Sequence, residues 1–226
     1  MKKLRLIFII LAVSINLAYC DKFILETDCG SITIETFEDV APKTAKSFKY
    51  LVKKRLYDGV TFHRIIKGFM IQTGDPLSKD EDPANDGTGG AKYKLKEEIN
   101  ADGLNLDKIS VKDSYYAKMY PEDHPAQSLS LKLLFEKEGY KYRKDLRPLS
   151  HEFGVVSMAN KGPGTGSSQF FIVTATDGAP WLDGRHTAFG KVIEGFETVK
   201  KIEALTTDKS NKPKDKIILK TIKEIR

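Results

Sequence analysis

Hydrophobic and polar residues alternate in two runs near the start of the chain, FILET and SITIETF, which lie between Lys22 and Phe37. A period of two residues is typical of β-strands that bury one face. The runs are separated by Asp28-Cys29-Gly30, and Gly30 can adopt the positive φ that tight turns often require. The pattern therefore predicts a β-hairpin in this part of the sequence.

The next segment changes to a helical period. Pro42 suits the first turn of a helix, where its missing N–H costs nothing. Four apolar residues then share one helical face: Ala45, Phe48, Leu51 and Val52. A second, short helix is predicted near Phe196–Leu205. These are the two helices that we expect to pack against the core.

Strand-type runs make up much of the remaining sequence, and turn-forming residues bound them. They are the segments Phe62–Asp75, Phe153–Met158, Gln169–Thr174, Thr187–Val192 and Ile217–Ile222. Many short strands joined by glycine-rich turns, with only two core helices, favour a closed antiparallel β-barrel. Because no internal repeat and no flexible linker divides the sequence, we expect one domain over residues 21–226.

The stretch from Ile99 to Ser150 interrupts the strands, and we interpret it as an insertion. It has helical periodicity from Pro125 to Glu138, and Gly139 can end the helix. The apolar face of that helix is predicted to contain Ala126, Leu129, Leu133 and Leu134. Long loops in compact domains are usually functional or disordered. The insertion therefore either shapes one wall of the groove or binds a partner, or it is a surface segment that the fold tolerates.

The first 20 residues have the layout of a secretory signal peptide, because three basic residues precede an apolar run from Leu6 to Leu17. That run is short for a transmembrane helix, which needs about 20 apolar residues, so we expect no membrane span. The small residues Ala18 and Cys20 favour cleavage before Asp21. Alternatively, Leu17–Cys20 resembles a bacterial lipoprotein box in which Cys20 carries the lipid, although Tyr19 departs from that pattern.

Cleavage changes both the cysteine count and the charge. Cys29 would be left alone, so we expect no intrachain disulfide even in an oxidising compartment. The cleaved segment contains three of the 37 basic residues and none of the 31 acidic ones, which lowers the formal net charge from +6 to +3. A nucleic-acid partner is therefore not implied. We expect a periplasmic or extracellular protein, with a secretory-pathway lumen or a lipid anchor at Cys20 as alternatives.

Five motifs resemble those of the cyclophilins in content and order. They are FHRIIKGFMIQTGD (62–75), DGTGG (86–90), GVVSMAN (154–160), SSQFFI (167–172) and WLDGRHTAFGKV (181–192). The resemblance implies a mainly β fold, a closed eight-stranded antiparallel β-barrel capped by two α-helices, here with a partly helical insertion at about 99–150. It also implies a monomeric peptidyl-prolyl cis-trans isomerase that requires no cofactor.

The resemblance carries a set of site residues onto this sequence. Arg64 is the catalytic arginine. The pocket for the substrate proline comprises Phe69, Met70, Phe171, Leu182 and His186, and the peptide backbone is held by Gln72, Ala159, Asn160 and Gln169. Trp181 lies on the rim, at a position associated with sensitivity to cyclosporin, so cyclosporin A is a candidate ligand beside proline-containing peptides and folding proteins. Phe62 and Phe189 are assigned to packing behind the site.

Proline isomerisation suits this set of residues on physical grounds. Rotation about an X–Pro bond breaks no σ bond and only has to overcome amide resonance, with a barrier of about 18–20 kcal/mol. A permanently charged guanidinium can donate to the prolyl nitrogen of the twisted amide or hold the adjacent carbonyl, while an apolar pocket grips the ring. Taken alone, Arg64 would be an ordinary exposed arginine, and the other four motifs give it this role.

Other chemistries fit the sequence less well. The histidines at 63, 124 and 151 lack the close spacing of a zinc site, so we expect no metal. Ser167 and Ser168 lack a nucleophile-elbow pattern. Thr73 and Lys161 depart from the residues common in cyclophilins and put substrate preference in question. The main alternative function is a peptide- or partner-binding module that uses the groove or the insertion.

Overall fold

The computed structural model describes residues 20–225. The predicted signal peptide therefore lies outside the described residues except for Cys20, which begins the first strand with an exposed side chain. Cys20 and Cys29 are both free thiols. Within residues 20–225, no helix combines the length and apolar character needed to cross a membrane.

The described part of the chain contains nine β-strands and three α-helices. The strands are β1 (Cys20–Thr27), β2 (Gly30–Phe37), β3 (Val60–Thr61), β4 (Arg64–Ile66), β5 (Met70–Thr73), β6 (Val155–Met158), β7 (Phe170–Val173), β8 (Ala188–Glu194) and β9 (Ile218–Ile225). The helices are α1 (Pro42–Lys53), α2 (Leu131–Lys137) and α3 (Phe196–Glu203). The predicted hairpin, both core helices and the later strands are confirmed, with ends that shift by a few residues.

The prediction of a closed eight-stranded barrel is wrong. The strands form one antiparallel sheet in the order β3-β9-β1-β2-β8-β6-β7-β5-β4, curled into an open half-barrel. Its two ends, β3 and β4, are consecutive in the chain and are separated only by Phe62 and His63. The strand-type run predicted over Phe62–Asp75 is divided by a turn at residues 67–69 into β4 and β5, and β3 precedes it as a separate short strand. The covalent chain, and not a hydrogen-bonded ladder, connects the two edges of the sheet.

Side-chain hydrogen bonds connect β3 to the segments that follow Phe62 and His63 in the chain. The Thr73 hydroxyl donates to the Thr61 carbonyl at 2.8 Å, and the Thr61 amide donates to the Ser78 hydroxyl at 2.9 Å. Gly74 follows with φ +88°, and a Cβ there would lie only 2.6 Å from the Ser168 carbonyl oxygen. A residue with a side chain would force the backbones of these two segments apart. The close approach of Gly74 to Ser168 thus continues the contact between the β5 and β7 segments beyond the end of their ladder.

The main core lies inside the curl and centres on α1. The Phe48 ring lies 5.1–5.4 Å, centroid to centroid, from four other aromatic rings, those of Phe23, Tyr57, Phe170 and Phe189. Helix α1 packs on β2, β8 and β9, and α3 packs on β2, β4 and β5. Phe62 and Phe189 are fully buried in this core, where the resemblance placed them.

Helix α1 receives its N-terminal cap from a distant residue. Ala41 at the cap position has no side-chain oxygen, but the buried Glu98 carboxylate accepts from the Lys43 amide at 3.0 Å and the Thr44 amide at 2.8 Å. A carboxylate is favourable there because the first helical N–H groups lack partners and the helix dipole is positive at that end. Glu98 therefore links α1 to the start of the 99–150 segment.

The 99–150 segment forms its own hydrophobic cluster beside the sheet. Its core includes Val111, Tyr116, Phe135 and Tyr140. The predicted helix is divided into a short 3₁₀ turn, Pro125–Ser128, and α2. The prediction for Leu133 is wrong: this side chain is 42% exposed, because the break shifts the buried face to Leu131, Leu134 and Phe135. Gly139 follows the helix with φ +101°, in agreement with its predicted role.

Phe48→Ala should destabilise the fold strongly. Removing a ring that four other rings surround leaves a cavity, and such changes typically cost about 3–5 kcal/mol. Urea unfolding followed by circular dichroism measures the loss. Tyr50→Ala on the same helix is the matched control, because the Tyr50 side chain is 51% exposed and surface changes usually stay within about 0.5 kcal/mol. Equal losses in the two variants would contradict this view of the core.

Candidate active site

The antiparallel pairing of β5 with β7 sorts side chains onto two faces. Gln72 lies opposite Phe171, and Ile71 lies opposite Ile172. Because side chains alternate along a strand, one face of the pair carries Met70, Gln72, Phe171 and Val173 and the other carries Ile71, Thr73, Phe170 and Ile172. Ile71, Phe170 and Ile172 belong to the main core. Three members of the first set, Met70, Gln72 and Phe171, form the floor of a surface groove, and Val173 is buried beside it.

The groove has a volume of about 730 Å³ and contains almost all of the predicted site. Its lining includes Arg64, Phe69, Met70, Gln72, Ala159, Asn160, Gln169, Phe171, Leu182 and His186. Trp181 does not line it. The Trp181 ring packs beside the groove, 5.6 Å from the Phe69 ring and 5.5 Å from the Tyr115 ring, on which it stacks. The structure thus brings residues from five separate motifs to one place.

A chain of amide side chains orients Arg64. Arg64 and Gln72 are directly opposite in the β4–β5 pairing, and Arg64 Nη1 donates to Gln72 Oε1 at 3.2 Å. Gln72 Nε2 donates to Gln169 Oε1 at 2.9 Å, and Gln169 Nε2 donates to the Gly89 carbonyl at 2.9 Å. Partial burial lowers the pKa of Arg64 from its ordinary value, yet guanidinium groups stay charged in proteins. The Arg64 guanidinium is therefore a permanent positive charge at the groove, and hydrogen bonding orients it.

The apolar end of the groove is formed by five side chains, Phe69, Met70, Phe171, Leu182 and His186. The rings of Phe171 and His186 meet edge to face at 5.6 Å. Burial, aided by repulsion from His151, lowers the pKa of His186 from 6.5 to about 4. At neutral pH the imidazole is therefore uncharged, and its Nδ1 donates to the Met158 carbonyl at 3.1 Å. His186 is an apolar contact in this setting, without a proton to transfer.

A Ser-His-Asp arrangement lies behind this pocket. His151 Nδ1 is 2.6 Å from Asp183 Oδ1, and His151 Nε2 is 2.8 Å from Ser157 Oγ. This order of groups is found in hydrolases. Here all three residues are buried, and none of them lines the groove, so no substrate carbonyl can reach Ser157. The arrangement instead fixes the Asp183 loop, and with it Leu182 and His186, against β6.

Several groove residues were not predicted from the sequence. His63, Asp86, Lys94, Ser210 and Lys212 also line the groove. Ser210 and Lys212 come from the loop that precedes β9, and no local pattern indicates that this loop reaches the site. His63 adjoins Arg64 and could have been found by its place in the FHRII motif. Of the two departures from common cyclophilin residues, Lys161 lines the groove, whereas Thr73 does not, because alternation turns its side chain toward Thr61.

The 99–150 segment supports the loop that carries Leu182 and His186. The Tyr116 hydroxyl donates to the Trp181 carbonyl at 2.6 Å, and the Tyr142 hydroxyl donates to the Gly184 carbonyl at 3.0 Å. Gly184 has φ +85°, and a Cβ there would lie 2.6 Å from a Leu106 methyl carbon. The segment is therefore packed tightly against one wall of the site.

Residues 20–225 present no group of three or more histidine, cysteine, aspartate or glutamate side chains arranged to hold a metal ion. The polar groups at the groove are suited to hydrogen bonding with a peptide: a guanidinium, side-chain amides and main-chain groups.

His186 should make stability depend on pH. Its pKa is about 4 in the folded chain and near 6.5 when exposed, so the unfolded chain takes up the proton first as pH falls. The stabilisation from burying the neutral ring is therefore complete above about pH 6.5 and is lost progressively toward pH 4. Urea unfolding from pH 7 to 4.5 should show a smaller pH-dependent loss for His186→Gln than for the unmodified chain. Equal losses, or an NMR titration midpoint near 6.5, would contradict the prediction.

Comparison with known proteins agrees with this geometry. The sequence model of the family described as "Cyclophilin type peptidyl-prolyl cis-trans isomerase/CLD" matches residues 22–224. The chain is 36% identical over 193 residues to peptidyl-prolyl cis-trans isomerase-like 1 of Rhizopus delemar, covering 85% of this chain and 86% of that protein. It is 34% identical to peptidyl-prolyl cis-trans isomerase CYP71 of Arabidopsis thaliana, covering 85% of this chain but only 22% of that longer protein.

Solved structures give the same result. The fold is similar to the crystal structure of a Cryptosporidium parvum cyclophilin type peptidyl-prolyl cis-trans isomerase, with a TM-score of 0.64 and 30% sequence identity over 92% of this chain and 99% of that one. A second structure of that protein was determined in the presence of the dipeptide Ala-Pro. From its sequence match, its fold and its groove, this chain belongs to the cyclophilin-type peptidyl-prolyl cis-trans isomerases and is an isomerase enzyme.

Proposed function

We propose that this isomerase accelerates the folding of proteins exported from the cytosol, by stabilising the twisted X–Pro amide with Arg64 above an apolar proline pocket. The observation that carries the proposal is the position of one oriented guanidinium beside a pocket of five apolar contacts in a single groove. The signal-like layout of residues 1–20 supports the exported setting. Its substrates are proline-containing segments of folding proteins.

The proposed mechanism requires no proton transfer and no bond formation. The pocket holds the proline ring while the acyl side of the amide turns, and the prolyl nitrogen regains its lone pair as resonance is lost. Arg64 donates to that nitrogen or holds the neighbouring carbonyl, and it does so at no cost of reorganisation because Gln72 already orients it. Since the neutral His186 only contacts the ring, activity should depend little on its protonation near pH 7.

The peptide backbone is proposed to lie along Ala159, Asn160 and Gln169. The Asn160 side chain is occupied inside the protein, because its Nδ2 donates to the Arg185 carbonyl at 2.8 Å and its Oδ1 accepts from the Gly162 amide at 3.1 Å. Among the described residues, the main-chain N–H and C=O of Asn160 make no hydrogen bond. They are available for a substrate strand, which would pair with them as in a short β-ladder.

We also propose that residues 99–150 are an insertion whose function is to brace the Leu182–His186 wall of the groove. Hydrogen bonds from Tyr116 and Tyr142 to that loop support this role. Arg185 adds to it: its guanidinium lies over the rings of Tyr116 and Phe135, 5.0 and 4.9 Å from their centroids, and pairs with Glu138. Cyclosporin A remains a candidate ligand of the groove, and the protein is proposed to act as a monomer.

Replacing Arg64 tests the mechanism. Arg64→Ala should lower kcat/KM for an X–Pro peptide by about 100-fold, as expected when one donor to the transition state is removed. Arg64→Lys should retain part of the activity, because it keeps the charge but loses the planar fork. The assay is cis-to-trans isomerisation of a short peptide, with folding of each variant verified by circular dichroism.

Lys67→Ala is the matched control for that experiment. Lys67 is an exposed cation in the turn between β4 and β5, three residues from Arg64, and it does not line the groove. Lys67→Ala should leave the rate within about twofold, because the Lys67 charge is exposed to solvent and screened by salt. Unchanged activity in a folded Arg64→Ala variant would refute the proposed role.

Mass spectrometry of the protein recovered from cells tests the export proposal. The expected mature chain begins at Asp21 and carries no added mass, because Ala18 and Cys20 fit the small-residue rule for cleavage. A chain that begins at a lipid-modified Cys20 would establish the alternative, an anchored protein. A chain that retains residues 1–20 in the cytosol would contradict export.

A further inference from the structure

The charged side chains that line the groove are mostly cationic. Arg64, Lys94, Lys161 and Lys212 contribute positive charge, and Asp86 is the one carboxylate of the described residues in this lining. The chain as a whole is far more balanced, with 37 basic and 31 acidic residues. The positive charge is therefore concentrated at the groove, beyond what the composition requires.

None of these four cations has a carboxylate within 4.0 Å among residues 20–225, but two of them have a hydrogen-bond partner. Lys212 lies near Asp86: burial raises the pKa of the Asp86 carboxyl, and the charge of Lys212 lowers it. The Lys212 Nζ also donates to the Pro83 carbonyl. Arg64 is bonded to Gln72. In contrast, the Nζ atoms of Lys94 and Lys161 make no hydrogen bond among residues 20–225. Both side chains are exposed, so they are available to a ligand.

The backbones that carry these two lysines are fixed relative to each other. The Leu95 amide donates to the Gly166 carbonyl at 2.7 Å, which joins the segment after Lys94 to the loop after Lys161. Within that loop, the Lys161 amide donates to the Thr165 hydroxyl at 2.8 Å. The Ser167 hydroxyl is shared between the Ala91 and Tyr93 carbonyls, at 3.1 and 3.2 Å. The two cations thus border one part of the groove on a rigid frame.

This part of the groove adjoins Asn160 and Gln169, which are proposed to hold the peptide backbone. Lys161 directly follows Asn160, whose main-chain groups are available for a substrate strand. Gln169, which bonds to both Gln72 and Gly89, connects the arginine end to the segment that carries Lys94. A peptide held by its proline would pass these lysines with the residues that neighbour the proline.

We infer that Lys94 and Lys161 select substrates with a carboxylate side chain close to the proline. The inference rests on the proposed isomerase function of the same groove and adds a substrate class to it. Complementary charge raises the encounter rate and disfavours substrates of like charge. A glutamate or aspartate would therefore be favoured, and a lysine disfavoured.

The test uses peptides of one length and one X–Pro bond, with Glu, Gln or Lys at the first or the second residue before the proline, or at the first or the second residue after it. For at least one of these positions, kcat/KM at low salt should follow the order Glu, Gln, Lys, with Glu ahead of Gln by about fivefold, as two screened ion pairs would give. Added salt should reduce the ratio, because the Debye length falls from about 10 Å at 0.1 M to about 3 Å at 1 M.

Charge-neutralising variants assign the effect to the two lysines. The double variant Lys94→Gln, Lys161→Gln should bring the Glu-to-Gln ratio close to one. The matched control is Lys92→Gln, Lys201→Gln, which removes the same charge from exposed lysines that do not line the groove, and it should keep the ratio. Retention of the preference in the groove variant would overturn the inference.

The experiment separates the isomerase function from the preference for carboxylate-bearing substrates. If the unmodified protein isomerises the Gln peptides but treats Glu, Gln and Lys alike at every position, the inference about substrate class is wrong and the isomerase function stands. If it isomerises none of the peptides, the proposed function itself is wrong.

Discussion

The four-residue pairing of β5 with β7 is the constraint on which the rest of the structure depends. Its alternation places Ile71, Phe170 and Ile172 in the core and Met70, Gln72 and Phe171 in the groove. A shift of one residue would exchange the two sets, exposing the core side chains and burying those of the site. The same short ladder therefore contributes to stability through its inner face and to recognition through its outer face. Arg64 depends on it as well, because β4 pairs only with β5 and the amide chain passes through Gln72 to Gln169.

The chemistry of the site follows from the side chains that the sheet holds in a fixed orientation. Amide rotation has a high barrier because resonance must be lost, and a donor that is already oriented stabilises the twisted form without reorganisation. Arg64 has such an orientation from its cross-strand partner. Histidine, serine and aspartate are present nearby, but His186 is uncharged at neutral pH and the Ser157–His151–Asp183 set is buried. Their contribution is to shape and support the pocket, since none of them can exchange a proton with a bound peptide.

Much of the fold and of the groove could be predicted from the sequence, because the signals concerned are local. Alternating apolar residues and ordered motifs predicted the hairpin, both core helices and the strands that form the groove. The gap between β3 and β4 at Phe62 and His63 could not be predicted from local patterns. It depends on which backbones lie within hydrogen-bonding distance across the sheet. Leu133 was misplaced because a helical period was extended across Leu129 and Ser130, where the backbone is extended. The reach of Lys212 into the groove likewise depends on long-range loop packing.

The most direct test of the central claim is a crystal structure of the protein with a short peptide that contains one X–Pro bond. We expect the proline ring between Phe69, Met70, Phe171, Leu182 and His186, with a guanidinium nitrogen of Arg64 about 2.7–3.2 Å from the prolyl nitrogen or the preceding carbonyl oxygen. The Gln72–Gln169 hydrogen bond should be unchanged from the unbound protein. A proline seated elsewhere, or an Arg64 side chain turned away from the bound amide, would contradict the claim.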